Sequence, residues 1–409
     1  MSFYERLSAQ DASFIGLEDS RCHMHVGGVM LFDARPLWEM WFVEGLADDR
    51  LALISKTHHC MIDGVSGADL ISVIMEPYPN TDPGEPLPWI PRPHPSDTRL
   101  VFDEARRRLG QPLDVLRAAQ QAIRHPEQTL EKVEETVSAL AEAFSPSLNP
   151  ASQLPINTEV GPSRRFDWTT MQVADLKAVK SVLGGTLNDV VLATVAGALR
   201  RFCLQRAVDP DTLNVRALVP VSVRAPEEHG ALGNRITEII APLPIQLEDP
   251  LSRLEAVRIT MSGLKESKQA LGGEVMTAIA EWTVPNVLVQ AVKLGMRSRP
   301  YNLTVTNVPG PQIPLYFLGC EMLTTYPVVP LFENVALVVG LFSYNGGLFW
   351  GFTADWETVP DLHDFVTAIE ESFAELQAVA APAKPRAKPK KKAAPQRAPR
   401  PQRRAHSRA

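Results

Sequence analysis

Apolar and polar positions recur with two periods along the chain, and these periods predict strands and helices in two parts. In the first part, the stretches 23–32 and 38–46 have the β-branched and aromatic content of strands. We predict a β-hairpin over 38–57 with its turn at 47–49. Helical spacing follows at 65–75, and a long helical region is predicted at about 99–143.

The second part repeats this mixture of strands and helices after a Pro/Asn-containing linker. Thr186 and Asp189 predict a capping box that opens a helix, and a hairpin turn is predicted at Asn345-Gly346-Gly347. Strands are predicted at 213–223, 236–246, 302–308, 335–344 and 348–354, and helices at 175–185, 186–205, 251–270, 275–295 and 361–379. The fold class is therefore mixed α/β with two domains. The predicted first domain is 1–145 and the second is 166–380. A linker is predicted at 146–165 and a tail at 381–409.

Charge is distributed unevenly despite a net value of −6. Residues 381–409 contain 11 Lys/Arg and no Asp/Glu, which leaves 30 Lys/Arg against 47 Asp/Glu, a net charge of −17, in the rest. This Pro/Ala/Lys/Arg segment is predicted to be disordered. We expect it to be a solvated tail without a specific partner, or a peripheral contact with an anionic membrane or lipid-droplet surface. Non-specific nucleic-acid contact is a further alternative, but no specific nucleic-acid site is expected.

The remaining composition is that of a globular protein, with 45% hydrophobic and 22% charged residues. The four cysteines form no C-x-x-C pair, so neither a disulfide framework nor a zinc ribbon is predicted. No apolar run approaches the roughly eighteen residues that span a bilayer, and the start has no secretory-signal pattern. We therefore expect a soluble, cytoplasmic protein.

The stretch "HHCMIDG" carries the clearest candidate chemistry. Its adjacent histidines, His58 and His59, lie where the predicted hairpin ends and the next helix begins. Because neighbouring strand residues face opposite ways, one imidazole can face a cleft while the other faces the fold. A neutral imidazole is the usual general base for a hydroxyl or thiol. Asp63 can brace the loop, and Gly64 lets the chain turn.

Other interpretations of these histidines stay open. Cys22, His23, His25 and Cys60 could be combined into a metal site, but their spacing matches no zinc pattern, so no metal is expected. The histidines could also be structural residues at the end of a strand. Neither a G-x-S-x-G, a P-loop nor a dinucleotide G-x-G-x-x-G occurs. A base without a neighbouring nucleophile favours direct transfer to an acceptor that the base activates.

These residues resemble a known family. H-H-x-x-x-D-G is similar to the signature of CoA-dependent acyltransferases, and further stretches in order resemble bacterial wax ester synthases/diacylglycerol acyltransferases. Those stretches are "RPLWEMWFVEGL" at 35–46, "TLNDVVLATVAGALRRF" at 186–202, "PVSVR" at 220–224, "NVPGP" at 307–311 and "LFSYNGG" at 341–347. The resemblance runs from residue 1 to about 380. It implies a two-domain, chloramphenicol acetyltransferase-like fold with a tunnel between the halves.

The resemblance also implies a reaction. A long-chain acyl group would pass from acyl-CoA, a co-substrate, to diacylglycerol or a long-chain alcohol, without a bound cofactor. His59 resembles the general base, with His58, Asp63 and Gly64 in support and no covalent intermediate. Asn188 and Asp189 fall in a second motif, where they could assist the oxyanion or the loop geometry, or Asp189 could simply cap its helix. For Pro36-Leu37-Trp38, packing is favoured over chemistry.

One departure from the family pattern concerns the first domain. The long segment that separates the first strand from "RPLW" in the family is nearly absent here, between residues 33 and 36. An enzyme with a shortened first domain is therefore one hypothesis, and a catalytically impaired lipid- or acyl-CoA-binding relative is another. A third is acyl transfer to a peptidyl or polyketide acceptor, which the absence of a carrier-protein segment disfavours.

Overall fold

The computed structural model describes part of the first half and most of the second half of the chain. The described residues are 25–26, 38–58, 71, 74–82, 85, 96, 98–99, 102, 149–222, 236–266 and 298–381. Several sequence predictions fall wholly or almost wholly outside them. These are the helices at 99–143 and 275–295, the tail at 381–409, the junction at 33–36, and the motif residues His59, Asp63 and Gly64.

The described first half is a small antiparallel sheet. Strand β1 (His25–Val26) pairs with β3 (Arg50–His58), and β3 pairs with β2 (Trp38–Leu46), which gives the order β1-β3-β2. The turn at Ala47–Asp49 places two aspartates in the left-handed region, a conformation that Asp tolerates better than most residues. The predicted hairpin is confirmed. Its strand β3 is central, so His58 ends a strand that is paired on both sides.

A six-stranded mixed sheet organises the second half. Its order is β4-β11-β10-β7-β5-β6, in which β10-β7 and β7-β5 are parallel pairs and the other pairs are antiparallel. Its strands are β4 (Arg164–Gln172), β5 (Val215–Ser222), β6 (Ile236–Leu243), β7 (Leu303–Pro309), β10 (Leu337–Tyr344) and β11 (Gly347–Asp355), and a separate two-stranded ribbon contains β8 (Tyr316–Phe317) and β9 (Cys320–Glu321). The five strands predicted for this half are confirmed.

Four helices cover one face of this sheet. They are α1 (Val173–Leu183), α2 (Leu187–Gln205), α3 (Pro250–Glu266) and α4 (Leu362–Ala380). Alternate residues of β10 and β11, such as Val339 and Trp350, join the helices in one large buried core. Of the described helices, none is by itself long and apolar enough to cross a bilayer, and α1 and α2 reach that length and composition jointly but meet at 96°.

The opposite face of the sheet carries two smaller apolar clusters. One is centred on Val160, Leu218 and Leu331. The other, here called the junction cluster, contains Leu315, Phe342, Tyr344 and Phe349, against which Ile71 and Met75 of the first half pack. The two halves of the chain therefore meet on the face that the helices leave uncovered.

The stretch predicted as a linker is packed against the second half. Residues 149–163 contain no helix or strand, but Leu154 and Ile156 are buried in the main core. The Asn157 amide donates to the carbonyls of Asn302 and Asn334, and its oxygen accepts from Asn302. Strand β4 begins at Arg164, inside the predicted linker, so the prediction of a linker to residue 165 is wrong at that end.

Candidate active site

His58 is the described member of the adjacent histidine pair. It ends β3, lies opposite His25 across the β1-β3 pairing, and is 2% exposed. The rigid, doubly paired strand therefore fixes the backbone from which His59 follows. His59, Asp63 and Gly64 lie outside the described residues, so the roles assigned to them stay predictions.

A buried ion pair lies two residues before His58 on the same face of β3. Lys56 Nζ is 3.6 Å from Glu39 Oε1, and both side chains are largely buried. The two residues are directly opposite each other in the β2-β3 register. Sequence reasoning missed this pair, because the predicted turn at 47–49 alone would place Lys56 opposite Met40, and the register shift between Val43 and Leu46 brings it opposite Glu39.

The chain after the motif is attached to the second half. The Met75 N–H donates to the Ile71 carbonyl at 2.9 Å, a helical contact within the helix predicted at 65–75. Glu76 and Tyr316 then exchange two backbone hydrogen bonds of 2.8 and 2.7 Å. The segment at 71–76 is thus held by both backbone pairing and apolar packing against the junction cluster.

A ring contact attaches the hairpin before the motif to the same region. The centroids of Phe42, on β2, and Phe317, on β8, are 5.6 Å apart. Phe317 directly follows Tyr316, the residue that pairs with Glu76. The described chain segments before and after the motif therefore both contact the β8 region.

Asn188 and Asp189 lie in the first turn of α2, and the capping prediction is confirmed. Asp189 Oδ2 accepts from the Thr186 N–H at 2.7 Å, while the Asp189 N–H donates to Thr186 Oγ1 at 3.2 Å. Asp189 is 3% exposed, and its Oδ1 has no hydrogen-bond partner among the described residues. Asn188 is half-buried beside it. The carboxylate therefore has a structural function, helix capping, that uses its Oδ2 oxygen.

Two sequence predictions about neighbouring residues have different outcomes. Packing was favoured for Trp38, but this side chain is 57% exposed, so that prediction is wrong for the tryptophan, while Pro36 and Leu37 lie outside the described residues. The metal alternative rested on side chains that are also outside them. In the described part of the chain, no three His, Cys, Asp or Glu residues are grouped to hold a metal ion.

Cys203, on α2, is not suited to nucleophilic chemistry. Burial raises the pKa of its thiol to about 11, although Arg206 opposes the shift. Because the thiolate is the nucleophile, this cysteine is unreactive near neutral pH. Cys203 is thus excluded as a nucleophile, which is compatible with direct transfer.

Two family models match the chain. The wax ester synthase/diacylglycerol acyltransferase catalytic domain matches residues 33–191, and the C-terminal domain of the same family matches residues 232–377. Together they include the histidine motif, the first turn of α2 and most of the six-stranded sheet.

Curated relatives and a solved structure agree with this assignment. A protein of Mycobacterium tuberculosis (strain H37Rv) that is assigned the name diacylglycerol O-acyltransferase is 32% identical over 364 residues, 86% of this chain and 69% of the relative. Another from the same strain is 30% identical over 352 residues, 85% of this chain and 72% of the relative. The wax ester synthase/diacylglycerol acyltransferase from Marinobacter aquaeolei VT8 has a TM-score of 0.63 at 22% identity, covering 92% of this chain and 100% of that chain.

The family models and the curated relatives define an acyltransferase with a mixed α/β fold. Within this class, the chain belongs to the wax ester synthase/diacylglycerol acyltransferase family. The resemblance inferred from the sequence motifs is confirmed, as is the mixed α/β, two-domain fold class.

Proposed function

We propose that this chain transfers a long-chain fatty acyl group from acyl-CoA to diacylglycerol, which yields triacylglycerol, with a long-chain alcohol and wax ester as the second acceptor and product. The observation that carries the proposal is the family match across both halves, which includes an intact H-H-x-x-x-D-G at 58–64. The names of the curated relatives support diacylglycerol as the acceptor.

His59 is the proposed general base. Its imidazole takes the proton of the acceptor hydroxyl while that oxygen attacks the thioester carbonyl carbon. The carbon–sulfur bond then breaks, and the proton passes to the departing CoA sulfur, so no acyl group is attached to the protein. His58, buried at the end of β3, supports the position of His59, while Asp63 and Gly64 are assigned to shaping the loop. Acyl-CoA is a co-substrate, and no bound cofactor enters the scheme.

Substitution of the proposed base tests this mechanism. Labelled long-chain acyl-CoA would be supplied with diacylglycerol or hexadecanol, and ester formation compared between wild type and His59→Ala. We expect a loss of about 10²- to 10⁴-fold, the usual contribution of a general base. His363→Ala is a matched control because that histidine is exposed on α4 and should leave turnover unchanged. Equal turnover in His59→Ala and wild type would remove the mechanism. Binding of acyl-CoA without ester from wild type would identify a lipid-binding relative instead.

The basic segment at 381–409 is proposed to hold a cytoplasmic protein against an anionic membrane or lipid-inclusion surface. Its 11 Lys/Arg and absent Asp/Glu support this, at about 1 kcal/mol per basic residue near such a surface. Sedimentation with vesicles containing an anionic lipid should fall when the segment is removed, while turnover of dispersed substrate persists. Equal sedimentation with and without the segment would refute this location. Equal sedimentation of the full chain with anionic and with neutral vesicles would refute it too.

A further inference from the structure

The ion pair of Lys56 and Glu39 is an unusual feature of the small sheet. Its two charges are 8% and 11% exposed by side chain, whereas most of the hairpin is solvated. A buried ion pair contributes little net stability, because desolvation offsets the attraction, but removing one partner is strongly destabilising. The free energy of the sheet therefore differs strongly between strand pairings that keep the two charges opposite each other and pairings that separate them.

The register of β3 against β2 decides which way the motif histidines face. Side chains alternate along a strand, so a slip of one residue transfers every β3 side chain to the other face of the hairpin. Such a slip would turn His58, the last residue of β3, to the opposite face and so change the backbone orientation from which His59 follows. It would also separate Lys56 from Glu39, since these residues are directly opposite each other in the observed register.

The cross-strand pairs near the turn specify the register of the hairpin weakly. Three consecutive pairs near the turn are apolar, and none of their six residues is buried, so a slip would still match apolar with apolar side chains. These pairs are Trp41–Ile54, Phe42–Leu53 and Val43–Ala52. A bulge between Val43 and Leu46, where Gly45 has φ 77°, loosens the pairing further at the turn end.

We infer that Lys56 and Glu39 form a positioning pair that fixes the β2-β3 register and thereby determines which of the two motif histidines faces the substrates. The pair touches neither substrate in this scheme and acts through the strand. For its catalytic consequence, the inference rests on the proposed function, in which His59 is the base. Its structural content, the register, is independent of that assignment.

The kinetic test replaces the charges with an apolar pair. The variant Glu39→Met/Lys56→Met removes both charges of the ion pair together, and because apolar replacement of a buried ion pair is often neutral or stabilising, the sheet should fold. We expect kcat to fall in proportion to the fraction of molecules in the slipped register, because His58 then faces the opposite side of the sheet. KM for acyl-CoA should be unchanged, since the remaining active molecules are unaltered. A purely structural role predicts instead a lower melting temperature, with kcat per folded molecule unchanged at a temperature well below it.

Disulfide trapping reads the register without requiring activity. Met40→Cys with Ser55→Cys joins residues that are opposite each other in the observed register. Ile54→Cys combined with Met40→Cys, or with Phe42→Cys, joins residues that meet only after a slip of one residue in either direction. Oxidation followed by peptide mapping should detect the first crosslink in the parent protein, and one of the slipped crosslinks in the Glu39→Met/Lys56→Met background.

The outcomes separate this inference from the proposed function. A slipped crosslink with a proportionate fall in kcat supports the inference. If the wild type forms no ester, a slipped crosslink still supports the register role, while the proposed function fails. The absence of slipped crosslinks in the double variant overturns the inference, whatever its activity. Unchanged kcat in a protein that does slip also overturns it, because the histidine direction would then not matter.

Discussion

Substitution of Asp189 distinguishes helix capping from participation in the chemistry. In Asp189→Ala, the Thr186 N–H loses a charged acceptor at 2.7 Å and the first turn of α2 loses its negative charge. In Thr186→Ala, the Asp189 N–H loses a neutral acceptor at 3.2 Å. Asp189→Asn keeps an oxygen for the Thr186 N–H and removes the charge.

These changes have different expected magnitudes. A hydrogen bond to a charged group contributes about 1.5–3 kcal/mol, and a carboxylate at a helix N-terminus about 0.3–1 kcal/mol. Asp189→Ala should therefore lower the free energy of unfolding by about 2–3 kcal/mol, and Thr186→Ala by about 1 kcal/mol. For a domain of about 200 residues, 1 kcal/mol corresponds to about 2–4 °C. The melting temperature should fall by about 4–12 °C in Asp189→Ala and about 2–4 °C in Thr186→Ala.

Thermal unfolding and turnover at 25 °C, measured on the same samples, test this account. If Asp189 acts as a cap, Asp189→Asn should retain wild-type kcat with a small loss of stability. Asp175→Asn is a matched control, because Asp175 also lies in a first helical turn, that of α1, but is exposed and makes no capping box. Loss of turnover in a folded Asp189→Asn protein would refute the view that capping is the sole role of Asp189 and would assign its carboxylate to the reaction as well.

Three further predictions concern the second half. The hydrogen bond of 2.9 Å to Asp167 raises the pKa of exposed His363, so its small stabilising effect is present below about pH 6.5 and is lost as pH rises through the folded pKa. An NMR titration of Asp167→Asn should show that pKa return towards its ordinary value, and an unchanged pKa would contradict this. Buried Cys203, with a thiol pKa of about 11, should resist iodoacetamide at pH 8 until denaturant is added, as read by peptide mapping; labelling of the native protein would contradict it. Gly351→Ala would place a Cβ 2.0 Å from the Pro327 carbonyl oxygen and should cost about 1–3 kcal/mol or more in denaturant unfolding, whereas an unchanged midpoint would refute the contact.

Local signals predicted the ends of several elements correctly. Thr186 and Asp189 are three residues apart, and their capping box forms within a single helical turn. Gly184 ends α1 with φ 85°, and Asn345-Gly346 forms the predicted turn with two positive φ angles. In each case the stabilising contacts lie within a few residues, so the sequence pattern contains nearly all the information that the structure uses.

Strand β4 was missed because its stability depends on distant residues. Its outward residues Phe166, Trp168 and Thr170 are exposed, so the stretch lacks a simple apolar face. Its inner residues include Asp167 and Met171, and the whole strand pairs with β11, near the other end of the chain. Residues 164–172 alone do not show which strand they pair with. They also do not show that polar inner residues are tolerated beside α4.

The location of the candidate site depends on long-range contacts in the same way. Seven residues were enough to predict the motif and its chemistry, but they did not predict the contacts of the flanking residues Glu76 and Phe42 with Tyr316 and Phe317. Those residues belong to a two-stranded ribbon too short to give a period. The Lys56–Glu39 pair is intermediate: the predicted hairpin brings the two strands together, but the exact pairing depends on the bulge between Val43 and Leu46, which the sequence pattern did not predict.

The shortened connection predicted at 33–36 leaves the described contacts on either side of the motif in place. Strand β3 keeps a neighbour on each side, which fixes the backbone at His58. After the motif, Glu76 keeps both hydrogen bonds to Tyr316, and Ile71 keeps its place against the junction cluster. Every one of these contacts involves residues outside 33–36. Because a general base requires accurate placement more than a large surrounding sheet, the retained contacts favour a working acyltransferase over a relative that only binds lipid.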